Sequence, residues 1–521
     1  MKSETENSWK RLILIITVIS AAIMELIDTS IVNVALNHMS GNLGATLEDT
    51  SWVITSYGIA NVIIIPMTSF LTNNLGRRNY YIGSIILFTL CSFMCGNATN
   101  IWELVAFRFL QGIGGGALLS VSAMVVYECF PKEKQNIASA LFGIGVFIGP
   151  TIGPTLGGYI TDNYSWNWIF YINIPVGILA AISCFRLLPE SPTRQKVKQI
   201  DWPGIILLII GVGSLQTLLE RGETEDWFAT RYIIWLTVAA VISLVLFVYR
   251  ELTTPYPVVK ISLLKNPSLS ISAILTFITG VGMFTSIYLT PVFVQRLLGF
   301  TPSLAGQMLL PGSIVAVFAL IITGKLLQKG VPPALIVLLG FASFIFFNYS
   351  MSRVDLDVSF TAISINLIYR AIGMALLTVP LSTLAISSLE AKDMAQGTAI
   401  NNMMRQLGGS FGISIINTYI ARQMAQHRMD LLSHLTPENL NVSQRLQSYT
   451  ALFQSKGFAL YDAQQKAFGV LEKTVVKQTA LLSYLDSYIF IGFAFTFSLP
   501  LLLIFLRKKR NTNTVIPVSD H

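Results

Sequence analysis

Charge is scarce in this chain. Of 521 residues, 35 are Lys or Arg and 27 are Asp or Glu, together 12%, about half the share of a soluble protein. With so little polar surface, an apolar fraction of 53% cannot stay in water. A mean hydropathy of +0.62 excludes soluble globular, collagen-like and disordered classes. Cysteine is also rare. Cys91, Cys95, Cys129 and Cys184 lie in or beside apolar segments, at spacings that fit neither a disulfide framework nor a zinc site. Cys91 and Cys95, one helical turn apart, read as packing residues. The four histidines, His38, His427, His434 and His521, fall outside every apolar segment, and no HExxH, GxSxG or phosphate-binding pattern accompanies them, which argues against a membrane enzyme. The net charge of +8 does not point to nucleic acid, because a polytopic membrane protein collects basic residues in its cytoplasmic loops.

What the chain has in abundance is apolar runs. A bilayer crossing takes about 20 residues, and segments of that kind lie near 12–33, 51–72, 79–97, 101–126, 136–160, 167–188, 203–220, 231–249, 268–294, 303–326, 332–350, 358–388, 396–421 and 486–506. The expectation is an all-α polytopic membrane protein of 14 spans: an N-terminal six-helix half (1–190), two inserted helices with their linkers (191–265), a C-terminal six-helix half (266–506) that includes an outer loop at 422–485, and a tail (507–521). The first run, Leu12 to Ile31, is too long for a signal-peptide core and carries two acids, so it counts as a helix. With both termini cytoplasmic, 21 of the 35 Lys and Arg residues fall on the inner side, and an odd number of spans would destroy this asymmetry. Trp9, Trp52, Trp102, Trp166, Trp168, Trp202, Trp227 and Trp235 all stand at span ends, as interfacial belts require.

Three motifs rise above composition. LIDTSIVNVAL, 26–36, places Asp28 inside the first span, with Glu25 on the same face one turn earlier. A carboxylate at a helix centre costs about 2.5–3.5 kcal/mol on insertion scales, so it must pair, exchange a proton or face water. Both the proton-carrying and the structural ion-pair readings are open for these two acids. LVAFRFLQGIGGG, 104–116, puts Arg108 in the fourth span, followed by Gln111. A permanently charged guanidinium can stabilise a neighbouring carboxylate, or it can reach for the interface as an anchor. GIGVFIGPTIGPTLGGYI, 143–160, repeats Gly145, Gly149, Gly153 and Gly157 every four residues, with Pro150 and Pro154 between them. That pattern makes a smooth, bendable helix face suited to close packing.

On these residues the chain resembles the major facilitator superfamily, in its fourteen-span drug:proton antiporter branch of EmrB/QacA type. The fifth-span stretch continues into WNWIFYINIPVG at 166–177, which belongs to the same resemblance. The resemblance implies that Asp28 carries the proton with Arg108 as its coupling partner and Glu25 nearby. It makes Gly149, Pro150, Gly153, Pro154, Gly157 and Gly158 the hinge and seal of the fifth helix. Asn33, Gln111, Met403 and Arg405 are candidate substrate-cavity residues. No metal or cofactor is implied, the proton gradient being the driving force.

The loop SFLTNNLGRRNYY keeps Gly76, Arg77 and Arg78 of the superfamily's turn between spans two and three, but carries Ser69 and Asn73 where the pattern has Gly and Asp. The corresponding loop of the second half, GKLLQKG, has Gln328 at its acidic position. Spans seven and eight are expected outside the bundle, and their loop LLERGETEDWFATR resembles the EmrB side of the branch. In the outer segment Phe468, Leu471, Val475 and Leu482 recur near helical spacing, which predicts an amphipathic hairpin. Its cover is either a membrane-fusion adaptor, and through it an outer-membrane channel, or the outer leaflet or the transporter itself. Arg405, in NNMMRQLGGSFG, resembles the branch's thirteenth-span pattern, and Arg370 in span twelve has no assigned role. The functional expectation is a multidrug exporter in the bacterial inner membrane that exchanges protons for amphipathic toxic compounds. A dedicated exporter of one metabolite, such as a siderophore or fatty acid, is the alternative. The paired ionisable residues and the Gly-Pro helix argue against a non-transporting sensor.

Overall fold

The computed structural model describes residues 2–131, 134–190, 200–387, 389–390, 393–436 and 438–510. The basic linker at 191–199 and most of the expected tail lie outside them. The described residues form sixteen α-helices and no strand. The first group comprises α1 (Lys2–Leu43), α2 (Leu47–Leu75), α3 (Arg77–Gly96), α4 (Ile101–Glu128), α5 (Gln135–Asn163), the short α6 (Trp168–Tyr171) and α7 (Asn173–Leu187). Next come α8 (Trp202–Arg221) and α9 (Arg231–Thr253). The second group comprises α10 (Pro267–Arg296), α11 (Pro302–Gln328), α12 (Pro333–Met351), α13 (Phe360–Ser387), α14 (Met394–Ser433), α15 (Leu440–Ser455) and α16 (Leu460–Arg510).

Polar residues define where several of these helices begin. Thr46 accepts from the Asp49 amide at 3.0 Å to open α2, and Asn100 accepts from the Glu103 amide at 2.9 Å to open α4. Between α2 and α3 the chain turns at Gly76, whose φ of 88° is a conformation that a β-carbon disfavours. Prolines 66, 150, 154, 291, 311, 380 and 500 sit inside helices, which neighbouring membrane helices tolerate by satisfying the freed carbonyls.

Thirteen described helices are long and apolar enough to cross a membrane, α6 and α7 together making one crossing, Trp168–Leu187. The expected crossing at 396–421 falls in α14, a continuous 40-residue helix that does not reach that hydropathy because Asn401, Asn402 and Arg405 interrupt it. All three are buried, and α14 packs on α10, α16 and α2. Its polarity is directed into the bundle.

The packing repeats. α4 lies against α1, α2 and α3, and α13 lies against α10, α11 and α12; α5 pairs with α1 as α14 pairs with α10. The two groups meet where α5 runs along α11 and where α14 meets α2. α8 and α9 pack on each other, and α8 also docks on α2. One face of α9 is left open, with Trp235, Val238, Val241, Ile242 and Val245 exposed, as a lipid-facing helix requires. Polar contacts secure the docking of α8: Arg221 Nη1 donates to Ser51 Oγ at 2.6 Å and stacks 4.9 Å from the Trp52 ring. Beyond the membrane end of α14, α15 packs on the start of α16, joined by His427–Asp486 at 2.7 Å and Arg428–Glu472 at 2.5 Å between α14 and α16. Within this hairpin the buried side of α16 carries Ala463, Ala467 and Val475, while Phe468, expected on that face, is exposed. Small alanines let the helices approach more closely than a phenylalanine permits.

Candidate functional site

Asp28 and Arg108, 80 residues apart, meet in the interior of the first helix group with 0% and 1% of their side chains exposed. Arg108 Nη1 lies 2.5 Å from Asp28 Oδ2. Gln111 Nε2 donates to Asp28 Oδ1 at 3.1 Å and Asn173 Nδ2 to the same oxygen at 2.8 Å. Asp28 on α1 is therefore held by donors from α4 and α7. The guanidinium is satisfied in turn: Nε donates to the Val53 carbonyl at 3.2 Å, Nη1 to Gln111 Oε1 at 2.8 Å, and the Tyr57 ring covers it at 4.1 Å. A buried ion pair persists only with this degree of hydrogen bonding, because desolvation costs each ion several kcal/mol. Placing a proton on Asp28 cancels one charge while the other remains, since Arg108 stays charged at any relevant pH. The pair joins α1 to α4 in the interior of the first helix group.

Glu25 forms a second buried carboxylate site. Its Oε1 accepts from Asn61 Nδ2 at 3.0 Å and from the Tyr57 hydroxyl at 3.3 Å, while Oε2 is buried with no hydrogen-bond partner among the described residues. Tyr57 links the two sites, donating to Glu25 and covering Arg108.

The Gly stripe of α5 packs on α1, the helix that carries Asp28. A β-carbon on Gly149 would stand 2.5 Å from Leu26 Cβ, on Gly153 1.9 Å from Ser30 Oγ, and on Gly157 2.5 Å from Val34 Cγ2. Only glycine permits this approach. Gly158 is buried beside them and its carbonyl accepts from Thr161 Oγ1 at 3.2 Å. Pro150 and Pro154 lie within a helix that runs unbroken from Gln135 to Asn163.

At the turn between α2 and α3, Arg77 is buried. It pairs with Glu128 of α4, donates from Nη2 to the Pro189 carbonyl at 2.6 Å, and its amide donates to Glu190 Oε1 at 2.7 Å. Arg78 donates to the Phe185 carbonyl and stacks on that ring at 4.9 Å. Arg77 therefore ties α3 to α4 and to the segment that follows α7, and Arg78 ties α3 to α7.

The four proposed cavity residues separate. Arg405 lines a cavity between the two groups together with Tyr127, Phe142, Ser382, Asn401 and Asn402. Its Nη2 donates to Asn402 Oδ1 at 2.6 Å, and it stands within electrostatic reach of Glu25. Met403 is half-buried on α14 but is not among the lining residues. Gln111 belongs to the Asp28 cluster. Asn33 is exposed and donates to the Ser30 carbonyl at 3.3 Å, and it does not line the Arg405 cavity.

A model of the Major Facilitator Superfamily matches residues 18–413. The chain belongs to this superfamily. It is 33% identical over 463 residues to the multidrug export protein EmrB of Escherichia coli (strain K12), which covers 89% of each chain. It is 32% identical over 488 residues to the fatty acid resistance protein FarB of Neisseria gonorrhoeae, covering 94% of each. Among solved structures it is similar to the proton:xylose symporter XylE, at a TM-score of 0.57, 14% identity and coverage of 93% of this chain and 96% of that one. It is also similar to the human organic anion transporter MFSD10, at 0.58, 10%, 93% and 99%. The repeated packing of α1–α7 and α10–α16 is the fold of the superfamily, and the chain is a multi-pass secondary transporter of small molecules rather than an enzyme.

Several residues of the site carry no motif signal of their own. Tyr57, Asn61 and Ser92, whose Oγ accepts from Asn173 Nδ2 at 3.0 Å, sit on α2 and α3 among many similar polar residues. Asn173 lay within the WNWIFYINIPVG stretch, and its position after an aromatic run was the available clue.

Proposed function

We propose that this superfamily member is a proton-coupled multidrug efflux transporter that exports amphipathic toxic compounds by alternating access, with no cofactor. The observation that carries this reading is the buried Asp28–Arg108 pair, bridged to α7 by Asn173. Protonation of Asp28 from outside weakens its hold on α4 and α7 and favours the inward-facing arrangement. Substrate entry and proton release to the cytoplasm reverse the bias. A ligand shifts such an equilibrium only by its differential affinity for the two states, so drug and proton must favour opposite arrangements. The close α1–α5 contact along the glycine stripe transmits movement of α1 to α5, and α5 lies along α11 of the second half. Arg405, between the two halves, meets the substrate once the halves part, and the half-buried Met403 and Met404 nearby are side chains able to repack around different compounds.

The names of the relatives support multidrug export: EmrB of Escherichia coli, and a colistin resistance protein EmrB of Acinetobacter baumannii at 30% identity over 471 residues. The bacterial relatives and the distribution of Lys and Arg support an inner membrane location with both termini cytoplasmic. A membrane-fusion adaptor, leading to an outer-membrane channel, is proposed to cover the outer helices, where Met429, Leu440, Leu452 and Phe468 are exposed.

The test is substrate-induced proton release from the purified protein, together with susceptibility profiling of cells that carry wild-type or Asp28→Asn protein. Loss of both signals in a folded Asp28→Asn variant is expected. Full residual proton-driven export removes Asp28 from the mechanism, and sensitivity to one metabolite alone selects the dedicated exporter.

A further inference from the structure

The two halves differ at one corresponding position. Arg108 is on α4, the fourth helix of its half, and reaches α1, the first. Arg370 is on α13, which packs in the second half as α4 does in the first, and it reaches α10, the counterpart of α1: its Nη1 donates to the Ser286 carbonyl at 3.2 Å. Where Asn173 of α7 stands beside Asp28, Tyr488 of α16 stands beside Arg370, its hydroxyl 3.1 Å from Thr290 Oγ1 of α10. Among the described residues the second half therefore repeats the guanidinium and its polar surroundings but has no counterpart of Asp28. Among the described residues no carboxylate lies within ion-pair distance of Arg370, although 91% of the residue is buried, 9% remaining exposed.

A buried, uncompensated cation is costly, and a guanidinium presents five N–H donors in a planar fork that matches a carboxylate. The Ser286 carbonyl accounts for one of them. Among the described residues it is the hydrogen bond that Arg370 makes, and 9% of the residue remains exposed. Arg405, on the same side of the interface, has no carboxylate within ion-pair distance among the described residues either, and lines the cavity beside Asn401, whose Oδ1 is buried and unpartnered. The second half thus buries two guanidinium groups: Arg405 has Glu25 of the first half within electrostatic reach, whereas no carboxylate among the described residues pairs with Arg370.

We propose that Arg370 is a binding residue for an anionic group of the exported compound: the carboxylate or similar acidic head of an amphipathic organic acid takes the position that Asp28 occupies in the first half. This rests on the exporter reading above and names a substrate class for it. A paired arginine can satisfy a buried carboxylate with two parallel charge-assisted hydrogen bonds, which an uncharged analogue cannot form.

The full-length protein in lipid nanodiscs is titrated with three probes that share one apolar tail: 4-octylbenzoate, 4-octylbenzamide and 4-octylbenzyltrimethylammonium. Wild-type protein is expected to bind the benzoate at least tenfold more tightly than the benzamide. Arg370→Gln brings that ratio close to one and leaves the affinity for the ammonium probe undiminished or raised, since a like charge is removed, while Arg370→Lys, which keeps the charge and loses the fork, gives an intermediate ratio. The proposal is overturned by a wild-type ratio near one, by a ratio that survives Arg370→Gln, or by an equal loss for all three probes, which marks a structural role. If Arg370→Gln does not fold, the Lys variant decides: an undiminished ratio overturns the proposal and a reduced ratio with intact ammonium binding supports it. Proton-driven transport of the benzoate and ammonium probes in proteoliposomes is measured alongside. Absence of proton-driven transport for the benzoate as well as the ammonium probe counts against the exporter reading while the equilibrium ratio still tests Arg370.

Discussion

Gly153 of α5 and Ser30 of α1 are in such close contact that a β-carbon on the glycine would stand 1.9 Å from the serine hydroxyl oxygen. Ser30 is two residues from Asp28, so the stripe fixes the distance between the helix that carries Asp28 and its neighbour. Gly153→Ala is expected to destabilise the protein by about 1–3 kcal/mol, the usual cost of overpacking a close contact. Gly41→Ala, with nothing within 4 Å of the added carbon, serves as the control and should leave thermal unfolding in detergent unchanged. Equal melting of the two variants removes the close-packing argument.

The Asp28–Arg108 pair predicts strong non-additivity. Arg108→Gln leaves Asp28 buried with one fewer donor and is expected to cost about 3–5 kcal/mol. Adding Asp28→Asn removes the orphaned charge, so the double variant should be more stable than Arg108→Gln alone. Thermal unfolding of the four proteins gives the coupling directly. Additive losses would show that the two side chains do not act as a pair.

Glu25 offers a separation from Asp28. In Glu25→Gln the side-chain oxygen still accepts from Asn61 and Tyr57, and an amide replaces the unpartnered Oε2, so stability is expected to stay within about 1 kcal/mol of wild type. If Glu25 exchanges a proton during the cycle, substrate addition to this variant releases fewer protons per molecule bound than in wild type. An unchanged count assigns Glu25 a structural role only.

The two turn arginines should behave differently. Arg77→Ala removes the Glu128 pair and the bond to the Pro189 carbonyl, at a cost of about 1.5–3 kcal/mol for a hydrogen bond to a charged group. Arg78→Ala removes a partly exposed contact to Phe185 and should cost under about 1 kcal/mol. Chemical unfolding of both variants checks the order, and a reversed order refutes the view that Arg77 ties α3 to α4.

Much of the architecture was readable from the sequence because membrane insertion is a local constraint: each crossing must satisfy its own backbone and be apolar over about 20 residues. Thirteen helices follow that rule. α14 departs from it, since its Asn and Arg residues are tolerable only against α10, α2 and the cavity, which hydropathy cannot register. The same holds for the outer hairpin. Period alone placed Phe468 on its apolar face, whereas close helix packing selected Ala463 and Ala467.

At the site, the sequence by itself determined which ionisable residues the membrane had to accommodate: Glu25, Asp28, Arg108, Arg370 and Arg405, each inside an expected span. It could not determine their partners, because a charge buried in a low-dielectric interior is stabilised by whatever lies within a few ångströms, and those neighbours come from distant helices. Tertiary structure alone joined Asp28 to Arg108, Gln111 and Asn173, gave Glu25 to Tyr57 and Asn61, set the glycine stripe against α1, and left Arg370 facing α10 with no carboxylate partner among the described residues.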